Sequence, residues 1–121
     1  MHELAVCQGL LSQVGQVAAN NGATSVARIV LRVGALSGVE APLLERAFEL
    51  ARAGTVAADA ELEIRRGPVV VKCRACGGGG EVAVNRLLCP DCGDWQVDVT
   101  AGEELLLLSL DLDVEAVTAA V

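Results

Sequence analysis

The sequence predicts an α+β fold: two helices on one face of a small three-stranded sheet, with a four-cysteine subdomain inserted before the last strand. Three patterns carry this reading. Apolar residues recur at helical spacing in two segments, they alternate in three others, and Cys73-Arg74-Ala75-Cys76-Gly77 is answered across twelve residues by Cys89-Pro90-Asp91-Cys92-Gly93. The boundaries follow from the same patterns. Residues 1–67 and 101–121 form the α+β domain, and residues 68–100 form the inserted one.

From Leu4 to Ala19, Leu4, Cys7, Leu11, Val14 and Ala18 share one helical face, widened by Leu10 and Val17, before Asn20-Asn21-Gly22 stops the helix. Cys7 is the fifth, unpaired cysteine, and inside this stripe it reads as a small buried hydrophobe. Residues 25–33 alternate as a strand, with Ala27, Ile29, Leu31 and Val33 on one face and Arg28 and Arg32 on a wetter one. Residues 34–39 form a loop. Pro42 then suits a first helical turn, and Leu43, Leu44, Ala47, Phe48 and Ala51 make a second amphipathic stripe ending at Gly54.

A connection over 55–60 leads to a short strand in which Leu62 and Ile64 alternate with Glu61, Glu63 and Arg65, and which stops at Gly67-Pro68. After the cysteines, Val97 and Val99 mark a brief strand and Gly102 a turn. A long strand follows over 103–114, with Leu106, Leu108, Leu110 and Leu112 facing one way and Asp111 and Asp113 the other. The strands near 26–33, 61–66 and 103–113 build the sheet, the last two side by side around the insertion. Residues 117–121 read as a frayed tail.

The chemistry is densest in the insertion. Two residues between paired cysteines let both sulfurs of a tight knuckle reach one ion, and the glycine after each pair permits the positive φ the turn needs. Four soft thiolates in a closed tetrahedron suit Zn²⁺ and leave no position for water or substrate, so the metal is structural. Cys73, Cys76, Cys89 and Cys92 are the expected ligands of this zinc-ribbon-like site. Gly77 to Gly80 is expected to form no regular structure, and 81–88 little core, so zinc stands in for the missing hydrophobic interior.

Composition narrows the function. A net charge of −7 and a pI near 4.5 argue against nucleic acid, because phosphate binding needs a basic footprint. Phe48 and Trp95 are the only aromatic residues, too few for a base-stacking platform. Apolar runs such as Val69–Val71 and Leu105–Leu108 are far below the length of about 18 residues that spans a bilayer. The Met1-His2-Glu3 start lacks the basic and apolar regions of a secretory signal, so the expected compartment is the reducing cytoplasm.

The only histidine is His2. A free α-amine at Met1, backbone nitrogens at His2 and Glu3 and the His2 ring Nδ1 can close chelate rings around one ion in a near-planar arrangement. That geometry suits Ni²⁺ or Cu²⁺ and is poor for tetrahedral Zn²⁺. Glu3 also has a plain helix-dipole role in the first helical turn.

Taken together, Met1-His2-Glu3-Leu4, Gly34-Ala35-Leu36-Ser37 with Ala47-Phe48-Glu49, Ala60-Glu61-Leu62-Glu63-Ile64, the cysteine pairs and Gly102-Glu103-Glu104-Leu105 resemble the HypA/HybF family of hydrogenase-maturation nickel proteins. The resemblance spans residues 1 to about 114. It implies a non-catalytic nickel metallochaperone with a transient Ni(II) site and a structural Zn(II) site. It further implies action with a maturation GTPase to load the [NiFe]-hydrogenase large subunit. Carried onto this chain, Met1, His2 and Glu3 match the nickel motif, the four cysteines match the zinc ligands, and Glu40 falls where relatives place an acidic residue near nickel. Asp94 departs from the family's usual serine after the second pair.

Two other readings stand beside this one. A rubredoxin-like electron carrier would hold iron on the same four thiolates, although its gap is longer and its core richer in aromatics. A zinc-ribbon protein-interaction module would leave the N-terminus inert. An enzyme is not expected, since no nucleophile, base and orienting group can be assembled around one histidine.

Overall fold

The computed structural model describes residues 2–114 and orders them as α1 (His2–Asn20), β1 (Ala23–Gly34), α2 (Ala41–Ala51), β2 (Glu61–Gly67), β3 (Val69–Cys73), β4 (Gly79–Val82), β5 (Val97–Ala101) and β6 (Leu105–Val114). The α+β class holds: two helices, small sheets and a four-cysteine cluster. The strands form two three-stranded sheets, ordered β2-β1-β6 and β4-β3-β5. Met1 and the expected tail at 117–121 lie outside the described residues.

Packing divides the chain into two compact units. The first comprises Met1–Leu31, Glu40–Glu63 and Leu107–Val121, and the second Arg32–Val39 and Ile64–Leu106. In the first unit α1 buries Cys7, Leu11, Val14 and Ala18, while α2 packs against it and buries Leu44, Ala47 and Phe48. The α1 stripe differs from expectation at its start. Leu4 is exposed and Glu3 is buried in its place, because the helix begins at His2 and runs its inward face through residues 3, 7, 11, 14 and 18. Pro42 sits at the start of α2 as expected, since the helix needs no N–H from it there. Leu43, also expected in the stripe, is exposed.

β1 takes the centre of its sheet, which corrects the expectation that the strands flanking the insertion are neighbours. The reason is burial: Ile29, Leu31 and Val33 are buried on one side of β1, and Val26 and Val30 on the other. A strand apolar on both faces belongs between two others. The arginine face of β1 is thus drier than its sequence suggests, and the Val26 N–H donates to the Val56 carbonyl at 2.9 Å. Arg28 pairs there with Glu63. At the opposite extreme β6 lies at an edge, and no residue along it is buried; Leu106 and Leu108 are exposed, whereas Leu110 and Leu112 are half-buried.

The second sheet was not anticipated, and Gly77 to Gly80 is a correction. Gly79 and Gly80 pair with Lys72 and Val71 as the start of β4. They do so at φ of 156° and 153°, an extended conformation closed to side chains, and a Cβ on Gly79 would lie 2.1 Å from the Val71 carbonyl oxygen. Glycine is required here because two backbones approach closely, so its usual disruptive role in a strand is reversed.

A second close approach joins the end of β1 to the turn that precedes β6, within the second unit. The Gly34 N–H donates to the Glu104 carbonyl at 2.8 Å, the Leu36 N–H to the Gly102 carbonyl at 2.7 Å, and the Gly102 N–H to the Glu104 carboxylate at 2.8 Å. A Cβ at Gly34 would stand 2.1 Å from the Gly102 oxygen and 2.4 Å from Glu104 Oε2. Gly34→Ala is therefore expected to destabilise the protein by about 1–3 kcal/mol, read as a lowered urea midpoint with unchanged slope. A midpoint equal to that of the parent protein would show that the junction yields freely. No helix among the described residues is long and apolar enough to cross a membrane.

Candidate metal centre

β3 delivers Cys73 into the first knuckle, where the Cys73 N–H donates to the Gly78 carbonyl at 2.8 Å and the Gly77 N–H returns to the Cys73 carbonyl at 3.2 Å. The Ala75 and Cys76 N–H groups both point at the Cys73 sulfur, each at 3.3 Å. The second knuckle repeats the pattern. Asp91 and Cys92 N–H groups donate to the Cys89 sulfur at 3.3 and 3.4 Å, and the Gly93 N–H to the Cys89 carbonyl at 2.8 Å. Gly77 and Gly93 close the two turns at φ of 75° and 78°, which explains the glycine after each pair.

The knuckles converge. Cys73 and Cys92 sulfurs stand 3.6 Å apart, as do those of Cys76 and Cys89, and all four lie within 4.8 Å of one another. Thiolates about 2.3 Å from a shared ion at tetrahedral corners are about 3.8 Å apart, so the set fits a single four-coordinate metal. Cys73 and Cys89 are buried, whereas Cys76 and Cys92 are exposed. The charges oppose one another without a cation. N–H groups of Cys92 and Asp91 pull the Cys89 thiol down to about 7. The Asp94 N–H favours a Cys92 thiolate, yet desolvation and the other three cysteines push that thiol up to about 12. A bound dication removes this conflict, because it favours every thiolate at once.

The N-terminal candidates are brought together separately, inside the first unit. His2 opens α1 with its ring exposed, its Nε2 3.6 Å from Glu3 Oε2. The Glu3 carboxylate turns inward, is only 5% exposed, and accepts the Glu40 backbone N–H at 3.3 Å. Glu40 precedes α2 in an extended conformation with its side chain exposed and uninvolved in capping. The fold thus ties the first turn of α1 to the start of α2 through Glu3, a link that local periodicity does not reveal. Met1, the remaining candidate, lies outside the described residues.

Sequence reasoning also missed Arg74 and Asp91, which reach from inside the cysteine pairs to β5 and β4. Their residue types were in view, but their partners are distant in sequence. Cys7 is buried as expected, and burial pushes its thiol up.

A small α+β protein whose strongest chemical feature is a closed thiol cluster belongs, by fold and site, among metal-handling proteins. Comparison makes this specific. The profile described as "Hydrogenase/urease nickel incorporation, metallochaperone, hypA" matches residues 1–112, and the chain belongs to that family. The hydrogenase maturation factor HypA of Nitrosospira multiformis is 49% identical over 112 residues, covering 93% of this chain and 97% of the relative. That of Aquifex aeolicus is 40% identical over 115 residues, covering 95% of this chain and all of its own. The solution structure of the Ni metallochaperone HypA from Helicobacter pylori superposes with a TM-score of 0.71 at 32% identity, covering 95% of this chain and 100% of that one.

Proposed function

We propose that this protein is a cytoplasmic nickel metallochaperone that binds Ni(II) through Met1, His2 and Glu3 and helps deliver it to the [NiFe]-hydrogenase large subunit, in company with a maturation GTPase. Cys73, Cys76, Cys89 and Cys92 hold a structural Zn(II). Residues 1–67 with 101–121 act as the nickel-binding domain, and residues 68–100 as the zinc-binding one. The observation that carries the reading is the segregation of two donor sets. A closed four-thiol cluster lies in one unit, while an exposed His2 beside an anchored Glu3 lies in the other.

The two sets suit different ions. Thiolates in a tetrahedron retain zinc, whereas amine, amide and imidazole nitrogens in a plane favour nickel and release it when protons compete. Glu3 serves by position: its carboxylate, held by the Glu40 N–H, fixes the helical turn that presents His2. The Glu40 backbone N–H donates to the Glu3 carboxylate at 3.3 Å, which supports Glu40 as an acidic neighbour of the cargo site.

Metal content and a pH series test this function. The purified protein is expected to be colourless with one zinc per chain, whereas iron on the same thiolates would absorb visibly. Added nickel should bind once, with an affinity that falls on the order of tenfold or more per pH unit between about pH 8 and 6, because an α-amine near 7.7–8.0 must lose its proton. Zinc should stay bound throughout. A nickel isotherm that does not move across this range points to carboxylate ligands and refutes the nitrogen site.

A further inference from the structure

We propose that Arg74 and Asp91, the residues enclosed by the two cysteine pairs, are reciprocal latches that hold the knuckles against each other and slow loss of the metal. The inference rests on reading the four thiols as a metal centre and concerns the residues that position them.

The geometry is crossed. Arg74 belongs to the first knuckle, but its Nε donates to both Asp98 carboxylate oxygens at 3.0 Å, Nη2 adds a bond to Oδ1, and its backbone N–H donates to the Gln96 carbonyl at 2.8 Å. Asp98 lies on β5, the strand that leaves the second knuckle. Asp91 belongs to the second knuckle, but its Oδ2 accepts the Gly79 N–H at 3.1 Å. Gly79 opens β4, the strand that leaves the first knuckle. Each knuckle therefore grips the exit strand of the other.

Contact at the second latch is close. A Cβ on Gly78 would lie 2.3 Å from Asp91 Oδ2 and 3.3 Å from the Cys76 sulfur, so the carboxylate occupies the space beside a ligand that glycine leaves open. Release of a four-thiolate metal requires the sulfurs to leave in sequence. While both latches are closed, a sulfur that leaves remains beside the metal and rebinds before the next departs. With a latch open, the knuckles separate and the metal escapes.

The two latches differ in strength. Asp91, itself exposed, makes a charge-assisted bond to a backbone N–H that has only one side chain to hold in place. The Arg74–Asp98 pair is bidentate, but its side chains are 67% and 52% exposed, so water and salt screen it.

The test follows metal transfer from the zinc-loaded full-length protein to excess chromophoric chelator. Asp91→Ala is expected to speed release on the order of tenfold. Asp91→Asn, whose amide oxygen can still accept the Gly79 N–H, should return the rate to within about threefold of the parent. Arg74→Ala should speed release about threefold at low salt, an advantage that shrinks as salt rises. Release from Asp91→Ala at the parent rate overturns the Asp91 latch, and a salt-independent Arg74→Ala effect overturns the Arg74 one. Asp91→Asn releasing as fast as Asp91→Ala overturns the hydrogen-bond role. Should Asp91→Ala fail to fold, the Asp91→Asn and Arg74→Ala rates decide. A parent protein that takes up no metal refutes the metal centre itself, which separates that failure from failure of the latches.

Discussion

A Cys92→Ala protein is expected to lose its metal and the ordered structure of residues 68–100, while α1 and α2 keep their helical signal. In this stretch the buried side chains are Val69, Val71, Cys73 and Cys89. At about 1.5–3 kcal/mol for each buried aliphatic side chain, the two valines contribute only a few kcal/mol. A structural zinc contributes about 10–16 kcal/mol in small zinc modules, enough to decide whether such a segment folds. Removing one thiolate opens the closed shell and forfeits several kcal/mol of that. The helices lie in the other unit with their own core of Cys7, Val14, Leu44 and Phe48. Metal analysis and amide dispersion across 68–100 provide the readout. Full zinc content in Cys92→Ala would remove Cys92 from the ligand set.

Local patterns explain what was legible beforehand. Cysteine spacing is set by the reach of a knuckle around one ion, so all four thiols could be named from the chain alone, and they do converge. The helices announced themselves by period, and the strands of the first sheet by alternation and turn residues. What escaped depended on partners remote in sequence. Leu4 was placed inward by its hydrophobicity, but the inward position falls at Glu3, whose carboxylate is satisfied by a backbone N–H near residue 40. Gly79 and Gly80 were read as breakers because propensity describes an isolated chain, whereas in the fold β3 lies against Gly79 so closely that only glycine fits, and Gly80 holds a positive φ of 153°. The neighbour order of β2, β1 and β6 was missed for the same reason: β1's second buried face depends on Val26 and Val30 meeting partners from elsewhere in the fold.

Adding one residue before Met1 is expected to abolish most tight nickel binding without touching zinc or helix content, and His2→Ala is expected to do the same. The extension converts the α-amine into an amide, so a chelate that uses the amine loses a donor and the ring it closes. His2→Ala removes the imidazole independently, while His2's exposure and the unchanged Glu3 anchor leave the fold undisturbed. Loss of a supporting outer-shell group already costs about 10–100-fold in metal affinity, and a direct donor should cost more. The electronic consequence is separate from affinity: four nitrogens in a plane give diamagnetic nickel, which the native terminus should show and neither variant should. Calorimetry on the three proteins at one pH separates the possibilities. Equal affinity in all three eliminates the N-terminal site and leaves the four-thiol module as the only metal function. Loss in His2→Ala alone keeps the imidazole but removes the Met1 amine, and loss in both with zinc retained establishes a cargo site chemically independent of the structural one.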